Sequence, residues 1–81
     1  MAAMASKSTR ILLMQEMLIT GKTLNLKSYA TDFNVSGRTA MRDLDELRTF
    51  YAEHRLLTGE SLDIVYNRDQ QWHILQKNLI I

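Results

Sequence analysis

The feature that most constrains this fold is a pair of helical segments separated by little more than Asn34 and Val35. Residues 26–33 repeat apolar side chains at helical spacing, and a second amphipathic segment runs from its cap, Ser36, to about Glu53. Asn34 suits a left-handed turn position, and Val35 is the apolar residue that folds the turn against the core. Helices joined by so brief a turn cannot pack antiparallel, so they cross at a large angle as a helix-turn-helix.

A third helical segment precedes this pair. Its apolar residues predict a helix over 8–20, with a serine as N-cap and with Gly21 as the stop residue that accepts a left-handed conformation. A single short strand is predicted at 23–24, and Asn25 is a good cap for the second helix.

Two strands are predicted after the third helix. Residues 62–66 and 72–75 are rich in apolar residues, and the polar stretch 67–71 between them has the length of a hairpin turn. Alternation along the second strand predicts that Trp72 and Ile74 point into the core together. A hairpin directly after such a helix is a wing.

The predicted fold is therefore α+β, a winged helix-turn-helix of three helices followed by a two-stranded β-hairpin over residues 8–77. Residues 1–7 are interpreted as a flexible N-terminal arm or a vector-derived remnant, and 78–81 as a tail that begins a linker to a further C-terminal domain. No apolar run approaches the ~18 residues of a membrane span. The chain has no cysteine, which agrees with the reducing cytoplasm as its location.

The formal net charge of +1 conceals an uneven distribution along the chain. Residues 1–42 carry six basic and two acidic side chains, a net of +4, whereas residues 43–60 carry two basic and five acidic ones, a net of −3. A chain polarised in this way can present a basic face to phosphates. Ordinary solvated charge is the alternative interpretation of this feature alone.

The third helix has two contrasting faces. Four residues at helical spacing form a predicted core face: Ala40, Leu44, Leu47 and Tyr51. Four others point the opposite way: Arg38, Arg42, Asp45 and Thr49. Because Arg38 and Arg42 lie one turn apart near the start of the helix, they occupy the part that contacts base edges and phosphates in the major groove.

Other candidate DNA contacts lie outside this helix. Lys27 and Ser28 stand at the start of the second helix, and Arg68 and Gln70 lie in the hairpin turn. From the turn, side chains of these types reach a phosphate or the minor groove. A plain solvated turn is the competing interpretation.

The stretch around the turn resembles the DNA-binding domain of DeoR-type bacterial regulators, and is similar to the N-terminal domain of WYL-domain regulators. The matching residues are Tyr29-Ala30, Val35-Ser36, Arg38-Thr39 and Arg42-Asp43-Leu44. The resemblance implies that Ser36, Arg38, Thr39 and Arg42 face DNA, and that a further domain senses an effector. Met41 departs from the family, which usually has an arginine at this position.

Two functions are weighed: sequence-specific DNA binding in a bacterial transcriptional regulator, and a winged helix that contacts proteins without binding DNA. Arg38 and Arg42 on the exposed side of the third helix favour the first. The first helix is apolar almost all round, so Leu13 and Met17 are expected to pack on a partner, either a second copy in a homodimer or a following domain. No catalytic set is apparent, and His54 and His73 are isolated, so neither an enzyme, a metal nor a cofactor is predicted.

Overall fold

The order of elements reflects local signals in the sequence. The computed structural model describes residues 5–59 and 61–78. It contains α1 (Lys7–Ile19), α2 (Leu26–Asp32), α3 (Gly37–Thr58), β1 (Ser61–Asn67) and β2 (Trp72–Asn78). The strands pair antiparallel, which confirms the predicted α+β layout of three helices and a hairpin. Residues 1–4 of the predicted arm and 79–81 of the predicted tail lie outside the described residues.

Each helix begins at a polar side chain that satisfies a backbone N–H group of its first turn. Ser6 accepts from the Thr9 N–H group, Asn25 from Ser28 and Ser36 from Thr39, at 3.2, 3.0 and 3.1 Å. Each cap contributes about 1 kcal/mol, because the N–H group would otherwise have no partner in the helix. The predicted stop at Gly21 is confirmed by its φ of 81°, a conformation that glycine adopts without strain.

The third helix is longer than predicted, since it continues past Glu53 to Thr58 and ends at Gly59, whose φ is 76°. The apolar pattern that marks its core face stops earlier, at Tyr51. Leu56 and Leu57, in the extension, are each 86% exposed. The extra turns therefore bury no face of their own, which is why periodicity did not reveal them.

The core lies where the three helices meet the hairpin. Its buried apolar side chains are Met14, Leu18, Leu24, Tyr29, Ala40, Leu44, Leu47, Tyr51 and Ile64. All four residues predicted for the core face of α3 are among them. The predicted exposed face is confirmed as well, because Arg38, Arg42, Asp45 and Thr49 are all exposed.

The face of β2 that points into the core is the opposite of the one predicted. Ile64 pairs with Leu75 and Tyr66 with His73, so the side chains that point inward from β2 are Leu75 and His73. His73 is buried, while Trp72 is half-buried and Ile74 is exposed. The prediction that Trp72 and Ile74 form the core was wrong, because the pairing register, rather than hydrophobicity, sets which face points inward.

One buried carboxylate joins all three helices. Asp43 on α3, 1% exposed, accepts from Arg10 Nε on α1 at 2.8 Å and from the Tyr29 hydroxyl on α2 at 2.7 Å. Arg10 Nη2 donates to the other carboxylate oxygen at 3.3 Å. Burial, followed by the Asp43 hydrogen bond, raises the pKa of Tyr29, and the same carboxylate raises the pKa of Arg10. Both donors therefore keep their protons.

The wing is attached to the body through His73. Its backbone pairs with Leu24 through two hydrogen bonds of 2.8 and 2.7 Å, so the structure has an isolated bridge at Leu24 where a short strand was predicted at 23–24. Its ring lies 4.8 Å from that of Tyr66, and its buried Nδ1 has no hydrogen-bond partner among the described residues. Burial, and then the charge of Arg48, lower the pKa of His73.

We expect Asp43→Ala to lower the free energy of unfolding by about 3 kcal/mol, because it leaves buried donors of α1 and α2 without their acceptor. Urea denaturation followed by circular dichroism measures this. The control is Asp45→Ala, an exposed acid on the same helix, whose effect should stay within about 0.5 kcal/mol. Equal effects of the two variants would contradict a structural role for Asp43.

We also expect stability to fall in mild acid through His73. Because its folded-state pKa is lowered, the unfolded chain binds the proton more tightly; the loss begins below the unfolded value of about 6.5 and ends below the folded pKa. Urea midpoints between pH 7.5 and 5 should fall less in His73→Gln than in the unchanged protein. His54→Gln, which keeps His73, should retain the full decline; its loss there would refute the assignment to His73.

Candidate nucleic-acid interface

The turn between α2 and α3 has the geometry predicted for it. Asn34 adopts a φ of 53°, in the left-handed region. The Val35 N–H group donates to the Ala30 carbonyl at 2.9 Å, and the Val35 side chain is half-buried. Because the backbone of the turn is hydrogen-bonded to α2, the start of α3 is held at a fixed position relative to that helix.

The start of α3 carries two arginines that have no partner among the described residues. Arg38 and Arg42 are exposed, and neither forms a hydrogen bond or an ion pair with any residue in the described part of the protein. The nearby hydroxyl groups behave differently: Ser36 Oγ donates to Thr39 Oγ1 at 3.1 Å while also capping the helix. Ser36 is exposed and Thr39 half-buried, so of the four positions implied by the resemblance the two arginines are the most available.

The three acidic residues that follow have partners other than these two arginines. The pairs are Asp43 with Arg10, Asp45 with Arg48, and Glu46 with Lys7. Two of these cations lie on α1, and the third lies one turn further along α3. Three of the five acids in residues 43–60 thus have a cationic partner, and none of these partners is Arg38 or Arg42.

The start of α2 and the hairpin turn come together beside this helix pair. Lys27 and Ser28 are exposed, and Asn25, which caps their helix, donates from Nδ2 to the Gln71 carbonyl at 3.3 Å. Arg68 and Gln70 are exposed in the hairpin turn. Among residues 5–59 and 61–78, no hydrogen bond or ion pair links the side chains of Arg68 or Gln70 to α3. The predicted sites therefore form two groups. Ser36, Arg38, Thr39 and Arg42 lie at the start of α3. Lys27, Ser28, Arg68 and Gln70 lie around the start of α2 and the hairpin turn, which the Asn25–Gln71 hydrogen bond connects.

Two further residues border this surface and were missing from the sequence-based prediction. Met41 is 45% exposed and lines an open notch between α2 and α3 that also includes Lys27. Arg48 donates from Nη2 to the Ile64 carbonyl of β1 at 3.4 Å and so lies between α3 and the wing. The sequence gives only a weak signal for either, because Met41 resembles a core residue and Arg48 resembles a solvated charge.

A separate apolar surface lies on another side of the molecule. Ile19 of α1 and Phe50 of α3 are exposed at the rim of a groove of about 500 Å³ that also includes His54. Leu57 continues the α3 side, one turn beyond His54. Of the two residues predicted to contact a partner, Leu13 is exposed, but Met17 is partly buried against the core of its own chain.

Within the described residues there is no group of three or more side chains able to hold a metal ion. None of the helices described is both long and apolar enough to cross a membrane. No family model, curated protein or solved structure matches the sequence.

Proposed function

We propose that this chain binds double-stranded DNA, with the first half of α3 in the major groove, as the DNA-binding domain of a transcriptional regulator. The observation that carries the proposal is the pair of exposed arginines at the start of α3. Arg38 and Arg42 have no hydrogen-bond or ion-pair partner among the described residues, whereas the three acids after them are paired with Arg10, Arg48 and Lys7. A duplex supplies the anions that the two arginines lack.

The surrounding elements support this docking. The major groove, about 12 Å wide, admits a helix. The free N–H groups at the start of α3 and the cations Lys27 and Arg68 suit the flanking phosphates. The resemblance of residues 26–44 to DeoR-type domains is the reason to propose a bacterial regulator in the cytoplasm. The domain that binds an effector would then lie elsewhere.

A second copy of the chain is the partner that we propose for the apolar surface around Ile19, Phe50 and Leu57. On α3 this surface is turned roughly 100° away from Arg38 and Arg42, so two copies can pair while both basic faces stay free. Paired domains would bind two half-sites, as is usual for helix-turn-helix proteins. The same surface is what favours the alternative function, a winged helix that contacts other proteins and does not bind DNA.

We expect Arg42→Ala to weaken binding to a fluorescent duplex pool at low salt by roughly tenfold, because a charged contact of about 1–3 kcal/mol is lost. Fluorescence anisotropy measures the affinity, and the slope of log K against log salt should become less steep by about 0.9 if the contact is to a phosphate. Arg55→Ala is the matched control, since it removes the same charge from an exposed residue near the end of α3. An affinity that is independent of salt, or equal losses in both variants, would rule out the proposed docking.

We expect the unchanged chain to dimerise, and Leu57→Glu to produce monomers, because a buried carboxylate opposes apolar contact. Sedimentation velocity over a range of concentrations measures this. Leu56→Glu is the matched control: Leu56 is equally exposed, at 86%, but points about 100° away around the helix. Leu13→Glu tests the position predicted from sequence. A strict monomer at every concentration, or equal effects of the Leu56 and Leu57 variants, would contradict pairing through this surface.

A further inference from the structure

Met41 is an exposed apolar side chain with the cations Lys27, Arg38 and Arg42 around it. It lies one turn after Arg38 and directly before Arg42, on the half of α3 that we propose enters the groove. The Met41 side chain is 45% exposed, so part of it makes no contact with the core, in contrast to the fully buried Ala40 beside it. A methionine left open at this position calls for a ligand with an apolar group.

The space beside Met41 results from the way in which α2 packs against α3. The open notch, of about 660 Å³, is lined by the apolar side chains of Leu26, Ala30, Val35 and Met41 and by the polar ones of Lys27, Thr31 and Asn34. Gly37 forms part of the same lining, and a Cβ atom placed there would meet nothing within 4 Å. The approach to the notch at the start of α3 is therefore unobstructed.

The charges around the notch indicate what kind of molecule fills it. Lys27 lines it, and Arg38 and Arg42 flank Met41 along α3, all three exposed. An apolar floor with a cationic rim fits a polyanion that presents a small apolar group between its phosphates. In the major groove only thymine does so, through its C5 methyl group, whereas the other three bases present hydrogen-bonding groups there without a methyl.

We propose that Met41 and this notch read the C5 methyl group of a thymine in each half-site, which makes Met41 a specificity-determining residue. The inference rests on the proposed DNA binding and deepens it. The unbranched thioether side chain adapts its shape to a methyl group more readily than a branched residue. Burying one methyl group corresponds to about fourfold in affinity.

The experiment begins with a duplex selected from a random pool by the unchanged protein. Each thymine of that duplex is then replaced singly by deoxyuridine, which removes the C5 methyl and leaves the base pair intact. We expect one position per half-site to lose about fourfold in affinity with the unchanged protein. Met41→Ala should bind more weakly and no longer distinguish thymine from deoxyuridine at that position. Arg38→Ala should weaken binding but keep the distinction.

The possible results distinguish the proposed DNA binding from the proposed reading of a thymine methyl group by Met41. If no duplex is enriched or bound, the proposed function fails, and the assignment to Met41 fails with it. If a duplex binds but every deoxyuridine substitution is neutral, DNA binding stands and the methyl assignment is overturned. If the loss persists in Met41→Ala, another residue reads the methyl. Met41→Leu, which keeps an apolar side chain, should retain sensitivity, and its unfolding midpoint checks that the fold is intact.

Discussion

The buried carboxylate of Asp43 is the interaction on which the arrangement of the helices depends. It is the one acceptor shared by a guanidinium from α1 and a hydroxyl from α2, while its own backbone belongs to α3. A buried charge is tolerated only when it is paired and hydrogen-bonded. Displacing any of the three helices would leave the Asp43 carboxylate buried without a partner, which destabilises the fold. The orientation of α3, and hence the outward direction of Arg38 and Arg42, follows from this constraint.

The same interaction explains how a chain of net charge +1 acquires a basic surface. Asp43 takes Arg10 as its partner below the surface, and Glu46 takes Lys7, so α1 supplies cations to the acids of α3. Asp43 and Glu46 are thereby paired with α1 rather than with Arg38 or Arg42. Asp43 is withdrawn into the interior, whereas Asp45 stays on the exposed side and pairs with Arg48, and a count along the sequence records only the total.

Features set by neighbouring residues could be predicted from the sequence, and features set by distant ones could not. The caps at Asn25 and Ser36 and the left-handed Asn34 depend on a few adjacent residues, and all were predicted. The partner of Asp43 lies 33 residues earlier in the chain, so helical spacing could not indicate the pair. The inward face of β2 depends on its register with β1, so Trp72 and Ile74 were predicted to point inward in place of His73 and Leu75. The exposure of Arg38 and Arg42 was predicted because the exposed face of α3 follows the helical period. The exposure of Met41 could not be predicted, because it depends on how much of α3 is covered by α2.

The proposed interface combines two parts that are held with different strength. The helix pair is fixed by core packing and by a buried charge network, so it cannot move without disrupting the core. The strands of the wing are anchored by Ile64 in the core and by the backbone hydrogen bonds between Leu24 and His73, whereas its turn is held by the exposed Asn25–Gln71 contact. Local opening occurs first where buried apolar contacts are few. Base reading by the rigid part and phosphate contact by the adjustable part therefore suit a protein that must hold one register while following the varying path of a duplex backbone.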